Sequence, residues 1–469
     1  MPQKTTILVR PANLEKETTV RLSALDINAH TYGNFALHFK LDPDTDRYAV
    51  AKQLERALER TVTQAPHLAS KIEPNDHGDY SMVTRPDSTL KFLVSYLDEP
   101  RSGAPLFEEL EASSFSSGKL GNPADFTVEG LTPLSGGAVK SKPSACALQL
   151  TFIPGGAVLV IQIHHWSMDL AGVASVIHQI AANCHDLENE APAATWDDSL
   201  VSRERFILDP VPESERKDSM VFNGRHPDWK ECAWLCFHIP HSQTIRLKEL
   251  ATPSDGTWVS TYDAIVALIW RTVTRNRAQV YSPDLQSMAL IGETCDMRSR
   301  LSPPMPNRFQ GNIQGGAMSE MIKDQLTIGE VISEAPLSRL AGHIRQMTNS
   351  ITPEVVQQKI DRIHPLKDKA LTHFQLTSLP PLSLMVTDWR GTDFCEADFA
   401  FLSRPKAVRM ISDQVFENLA VIYPRRRVEG DPDHGLEVVL PFEKEAVDKL
   451  INDAEFKQWA SFTGFEGGY

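Results

Sequence analysis

The chain has 469 residues, more than one core ordinarily organises and enough for two domains. Its 47 basic and 61 acidic side chains leave a net charge of −14, which argues against general nucleic-acid or anionic-membrane binding. A local basic pocket for a phosphorylated co-substrate stays compatible with that balance. No stretch reaches the ~18 apolar residues that span a bilayer, and Met1 to Arg10 lacks a long apolar run. The cysteines at 146, 184, 232, 236, 295 and 395 show no paired framework, so a reduced, cytoplasmic protein is expected, without membrane insertion.

Taken in chain order, residues 51–64 predict a helix with Leu54, Ala57, Leu58, Thr61 and Val62 on one face, stopped by Pro66. Residues 107–145, rich in Ser, Gly and Pro, read as a long surface excursion. Cys146 to Phe152 and Ala157 to Ile163 predict a hairpin turning at Pro154-Gly155-Gly156. A helix follows over 173–187, with Val173, Val176, Ile177, Ile180, Cys184 and Leu187 at helical spacing. The polar stretch 196–231 reads as a crossover between an N-terminal lobe, 1–195, and a C-terminal lobe, 232–469.

In the second half, Cys232 to Ile239 predicts a strand. Cys232, Cys236, His238 and His241 are zinc-binding types, but their spacing fits a buried strand face beside Trp234 better than a metal site, so no metal is expected. Ser260 and Asp263 form a capping box for a helix carrying Ile265, Leu268, Ile269 and Val273. Short strands are expected at Met288 to Thr294, Leu384 to Val386 and Leu436 to Leu440. Strands and helices mix in both halves, which gives an α/β or α+β class in two lobes, and the crevice between them is the expected ligand site.

The candidate chemistry is His165-Trp166-Ser167-Met168-Asp169, an H-x-x-x-D. The spacing alone says little, because His38 to Asp42 and His364 to Asp368 match it too. Only His165 stands between a buried strand and a helix start (Leu170-Ala171-Gly172), where a side chain is presented to a cleft from a fixed backbone. A neutral imidazole there can take a proton from an attacking hydroxyl or amine, although a satisfied core histidine at a strand end has the same pattern. Asp169 either braces the loop or meets an arginine. His164 should face the other way if the strand persists, since side chains alternate. A G-x-S-x-G elbow, a Walker loop, G-x-G-x-x-G and H-E-x-x-H are all missing.

These residues resemble the BAHD acyltransferases, and their fungal trichothecene-acetyltransferase branch more than the plant one. Arg21-Leu22-Ser23-Ala24-Leu25-Asp26 is similar to the family's LSxLD element, and Ala65-Pro66-His67-Leu68 to the end of its first helix. His165 to Asp169 matches the H-x-x-x-D, and Asp169-Leu170-Ala171-Gly172 resembles the fungal D-x-x-G. Ser260 through Arg271, then Asp296-Met297-Arg298-Ser299-Arg300-Leu301 with Pro303-Pro304, Gly311-Asn312 and Thr387-Asp388-Trp389 follow in the family's order. Where the family has D-F-G-W-G, this chain reads Asp398-Phe399-Ala400-Phe401-Leu402, and an Ala and a Leu are expected there only with negative φ.

The resemblance implies two lobes of chloramphenicol-acetyltransferase-like fold, mixed sheets flanked by helices, with a channel between them. It implies acyl-CoA as co-substrate, no permanently bound cofactor, and a small-molecule acceptor. His165 would be the general base, and Trp389 would line the reaction centre and help stabilise the oxyanion. Asp169 with Arg298 (or Arg300) would be structural support, and His164, Thr387 and Asn312 would line the channel. A monomer is expected. Two other readings keep the fold: an acid/base-assisted cyclisation or transfer from a carrier protein, and a non-catalytic small-molecule binder. Arg425, Arg426 and Arg427 form a basic run that reads as a solvated turn or as a site for CoA phosphates.

Overall fold

The computed structural model describes residues 3–75, 78–99, 103–131, 137–219, 224–372, 375–412, 414–426 and 428–467. The hairpin forms as the pattern predicts: Cys146–Ile153 and Gly156–His164 pair antiparallel, with Gly155 at φ +80° in the turn. They sit in a six-stranded sheet whose order is Gln3–Val9, Leu90–Tyr96, Cys146–Ile153, Gly156–His164, Tyr32–Lys40, Ala407–Met410. Helices Arg47–Gln64 and Leu170–Glu188 pack together over one face, where Leu54, Leu58, Val176 and Ile180 meet Phe35, Leu159 and Ile161. Ala65 ends the first helix and Pro66 opens a 3-10 turn, because proline cannot continue the hydrogen-bond ladder.

The other face of this sheet is covered by the segment expected to be a surface excursion. Phe107, Leu110, Phe115, Phe126 and Val128 are all buried, and the first four pack on Val158, Val160 and Ala407. Gln149 Nε2 donates to the Asp125 carbonyl at 2.6 Å, tying the cover to a strand. Apolar residues spaced among the Ser, Gly and Pro anchor it; residues 132–136 of the same stretch lie outside the described residues.

A seven-stranded sheet forms from the second half: Gln314–Met318, Ile291–Asp296, Leu384–Asp388, Leu419–Ile422, Leu436–Glu443, Cys232–Ile239, Ser461–Gly467. Thr261–Tyr281 packs against it, capped reciprocally by Ser260 and Asp263. Cys232 and Cys236 are buried strand residues whose thiol pKa values burial pushes well up. A small third sheet joins Thr18–Arg21, Tyr80–Thr84 and Lys71–Pro74.

The two halves of the chain do not correspond one-to-one with the two main sheets. Ala407–Met410, from the second half, pairs with Phe35 to His38 and becomes the edge strand of the first sheet. In return Leu22, Leu25, Tyr80 and Trp166 join the core of the second-half lobe. The crossover is also more than a connector, since Arg203 and Phe206 within it are buried.

Arg409 carries the exchanged strand's charge into the interior. Its Nη2 donates to Glu437 Oε2 at 2.6 Å, and Arg426 donates to the same carboxylate at 2.7 and 2.9 Å. Arg426 is therefore a buried ion-pair partner, not the solvated turn expected of the basic run; Arg427 lies outside the described residues. The two guanidiniums hold the Glu437 carboxyl down at about 2 against the cost of its burial.

Candidate active site

The Gly156–His164 strand ends with His164 opposite Tyr32, and His165 is the first residue beyond it. Its N–H donates to the Thr31 carbonyl at 2.9 Å, and its own carbonyl accepts from Asn312 Nδ2 at 3.1 Å. The backbone of the histidine is thus held by the first half on one side and by the second half on the other. The ring is half-buried, with Nδ1 sealed from solvent and without a hydrogen-bond partner among the described residues. Burial lowers the imidazole pKa, and the Lys359 ammonium adds to that shift. Its own backbone carbonyl and the Asp169 carboxylate pull the other way. An imidazole so placed is neutral at neutral pH and can accept a proton.

His164 occupies the opposite face and is wholly buried. Its Nδ1 accepts from the Trp166 N–H at 3.1 Å, which places the proton on Nε2, 2.8 Å from the Gly137 carbonyl. Tyr32 packs edge-on against the ring at 5.1 Å. The expected channel role is corrected: His164 is a satisfied core histidine, its pKa pushed down to about 3 by burial.

Asp169 caps the helix Leu170–Glu188, accepting from the Gly172 N–H at 2.9 Å, and also accepts from the Ile313 N–H at 2.8 Å. Arg298 meets it as a bidentate fork at 2.8 and 3.0 Å. The same guanidinium donates to the Phe309 and Gly311 carbonyls at 3.0 and 2.9 Å, so one arginine fastens the motif helix to the 296–313 segment. Burial alone would favour the neutral acid, yet Arg298 and the two N–H donors hold the Asp169 carboxyl below its usual range. The D-x-x-G spacing has a steric cause. A Cβ on Gly172 would stand 2.7 Å from Met168 Cβ and 3.2 Å from the Gly311 carbonyl oxygen.

Asn312 is buried at 1% exposure. Its amide holds His165 from behind and also reaches Asp26 Oδ1 at 3.2 Å, so it braces the histidine and does not line a channel. Asp26 in turn pairs with the equally buried Arg203 at 3.2 Å, and Arg203 Nη2 donates to the Ser167 carbonyl at 2.6 Å. This second buried arginine lies in the crossover, and a polar stretch with scattered prolines gave no sign of it. Its one signal is Phe206, three residues on, an apolar partner inside a charged run.

Trp389 is 6% exposed, with its ring packed on Phe35 at 5.2 Å and Tyr423 at 5.7 Å. That is the setting of a core aromatic. Thr387 is half-buried near the end of its strand, two residues before Trp389. Neither of the other two H-x-x-x-D histidines has the setting of His165. His38 is fully buried, its pKa pushed to about 3 chiefly by burial, and His364 Nε2 donates to the Asp209 carbonyl at 2.9 Å. The altered D-F-G-W-G segment overturns one expectation: Ala400 adopts φ +53°, the left-handed conformation in which glycine is favoured. Asp398 Oδ1 accepts the Ala400 N–H at 3.1 Å and Phe399 packs edge-on against Phe39 at 5.2 Å, which hold the strained residue in place.

The model of the transferase family matches residues 109–457, and that of the trichothecene 3-O-acetyltransferase-like N-terminal domain matches residues 31–184. An acetyltransferase of Gibberella zeae is 35% identical over 99% of this chain and 95% of its own length. The trichothecene 3-O-acetyltransferase of Fusarium sporotrichioides is 23% identical over 92% of this chain and 94% of its own. The solved structure of that Fusarium enzyme with coenzyme A and T-2 superposes with a TM-score of 0.75 at 20% identity, over 95% of this chain and all of that one. Vinorine synthase superposes with a TM-score of 0.66 at 17% identity, over 99% and 100% of the two chains. No helix among the described residues is long and apolar enough to cross a membrane. On family model, relatives and fold together, the chain belongs to the BAHD-type acyl-CoA-dependent acyltransferases, in the trichothecene 3-O-acetyltransferase-like branch.

Proposed function

We propose that this protein moves an acetyl or other short acyl group from acyl-CoA to a hydroxyl or amine of a secondary metabolite, with His165 as the general base. The observation that carries the reading is the fixing of His165. Its backbone is held from both halves of the chain, its ring is half-buried at the mouth of a strand, and its imidazole is biased toward the neutral form. The neighbouring imidazole, His164, is sealed and satisfied, so one nitrogen base of the pair remains for chemistry.

The acceptor O–H gives its proton to the imidazole as its oxygen attacks the thioester carbonyl, forming a tetrahedral adduct. The adduct collapses by breaking the C–S bond, and the imidazolium returns the proton to the departing sulfur. The products are the ester and free CoA thiol, with His165 restored. With Nδ1 enclosed, Nε2 is the nitrogen that meets the acceptor. Asp169 keeps its ion pair with Arg298 throughout and shapes the loop without exchanging protons. Thr387 and Trp389 remain as the strand-end residues that would face the tetrahedral oxygen. An oxyanion donor contributes about 3 kcal/mol in a dry site. The packing of Trp389 favours Thr387 for that part. Because Asp169, Arg298, Asn312 and Arg203 all come from one chain, we expect the monomer to be the working unit.

The test is release of CoA thiol from acetyl-CoA with a panel of hydroxylated metabolites, followed by mass analysis of the acceptor. Thiol release that depends on the acceptor, with a gain of one acetyl mass, is the expected result. Acceptor conversion without thiol release would replace this reading with cyclisation or carrier-borne transfer, and binding without conversion would replace it with a non-catalytic role.

A further inference from the structure

Lys359 belongs to no motif that led to the site, yet its hydrogen bonds lead through Asn28 and Asn312 to the backbone of His165. It sits on the helix Pro353–Ile363, three residues after Val356 and four before Ile363, on the same face as these buried residues. The apolar neighbours carry its four-carbon stem inward, and the ammonium crosses to the turn at residues 23–28 of the first half. There Nζ donates to the Leu25 carbonyl at 3.0 Å and to Asn28 Oδ1 at 3.2 Å. Asn28 Nδ2 donates to Asn312 Oδ1 at 3.1 Å, and Asn312 Nδ2 donates to the His165 carbonyl at 3.1 Å. Gln314 Nε2 joins the same junction at Asn28 Oδ1, 3.0 Å away.

We propose that Lys359 is a positioning residue for the acyl-transfer reaction: its hydrogen bonds to Leu25 and Asn28 lock the network that holds the His165 backbone, and its ammonium opposes a second positive charge on the His165 ring. The inference rests on the acyl-transfer reading for its catalytic meaning, but not for its ionisation.

No carboxylate among the described residues lies within ion-pair distance of the ammonium. Its nearest named anions, Asp26 and Asp169, are committed to Arg203 and Arg298. An enclosed cation without its own counter-ion exerts a field that solvent screens poorly. Burial and the Arg362 guanidinium bring the Lys359 pKa down to about 8, against the pull of Asp26 and Asp169. It is therefore still largely charged at neutral pH. The charged and titratable groups around His165 are few. Asp169 on the motif helix, backed by Arg298, favours the imidazolium; Lys359 opposes it. His164 on its own strand is neutral and turned away, and His30 packs at 5.0 Å on the Trp166 ring. Without Lys359 the Asp169 carboxylate would act on the imidazole with no cation from the 353–363 helix to balance it.

The experiment is the pH dependence of His165 carbethoxylation by diethyl pyrocarbonate, read on the His165 peptide by mass spectrometry, for the full chain and its K359M, K359Q and K359R variants. It needs no turnover, so a protein that failed to transfer acyl groups would still report the ionisation. The expected result is a midpoint that rises by about half a pH unit or more in K359M and K359Q, because a cation that opposes the imidazolium has been removed, and stays at the wild-type value in K359R. K359Q retains donors for Leu25 and Asn28, so it carries the test if K359M does not fold. Midpoints in K359M or K359Q that coincide with wild type would overturn the electrostatic role. Where acyl transfer is measurable, the acid limb of kcat/KM should move in parallel with the modification midpoint, and a limb that stayed fixed would overturn the link to the base.

Discussion

Two seams of buried charge join the halves of this molecule, and they are built differently. At the end of the first sheet where His165 emerges, Arg298 pairs with Asp169 and Arg203 with Asp26, and both arginines spend further donors on backbone carbonyls of 167 and 309–311. On the edge strand of that sheet, Arg409, paired with Ala36, converges with Arg426 on Glu437, with Glu466 3.7 Å from Arg409. The first seam fixes backbone around a half-buried imidazole; the second fixes an exchanged strand beside the fully buried His38. Breaking a buried pair by removing one partner is costly at either place. Only the first should couple that cost to chemistry, because carbonyl-directed donors hold the loop carrying the proposed base.

The largest expected effect sharpens this contrast without touching either seam. His165→Ala should cut turnover by roughly 100- to 10,000-fold, the usual span for a general base, with an unchanged melting temperature. His164→Ala should act through packing and retain most of the rate per folded molecule; equal losses in the two variants would remove the assignment of the base. Next come the seams. Arg298→Met and Arg409→Met should each cost about 3–5 kcal/mol in urea unfolding. Activity per folded molecule should fall for Arg298→Met and survive for Arg409→Met. A spared Arg298 variant would mean that the loop holds its shape without the pin. Asp169→Asn should lose stability and activity together; loss of turnover at unchanged melting temperature would place Asp169 in the chemistry.

An effect smaller per residue is read by pH. His38, His67 and His164, all in the first half, are buried with pKa values near about 3, each lowered chiefly by burial. The unfolded chain would bind their protons from about pH 6.5 downward. Their contribution is therefore complete above that pH and is lost as pH falls toward 3, by about 1.4 kcal/mol per pH unit for each histidine. Urea midpoints should drop between pH 7.5 and pH 5.5, and His38→Leu should flatten the slope. The smallest effect is at the altered loop. Ala400→Gly should stabilise by no more than about 1 kcal/mol, since relief of a left-handed alanine is partly offset by glycine's greater freedom when unfolded. Leu402→Gly should destabilise instead, because Leu402 is 1% exposed in the first core. Acyl transfer that rose sharply in Ala400→Gly would give the loop a catalytic part.

Much of this was legible in the residues, and the boundary has a physical cause. Local periodicity determined the hairpin at 146–164, the helices after Asp169 and Ser260 and the strand at 232–239, since a face that must be buried writes its spacing into the chain. The motif context singled out His165 among three equal spacings, and the family order offered Asp169 either Arg298 or Arg300, of which the structure pairs Arg298. Tertiary structure alone decided which side chains meet across the halves. Arg203 in a polar crossover, Lys359 on a helix face, Asn312 behind the proposed base and the strand 407–410 in the other sheet depend on partners 177, 334, 284 and up to 375 positions away, and on a fold that brings carbonyls to guanidinium groups. A sequence window records how often a residue prefers burial. It does not record which distant carbonyl will be waiting for its charge, and that is why the supporting shell of the site came from the structure while the candidate base came from the sequence.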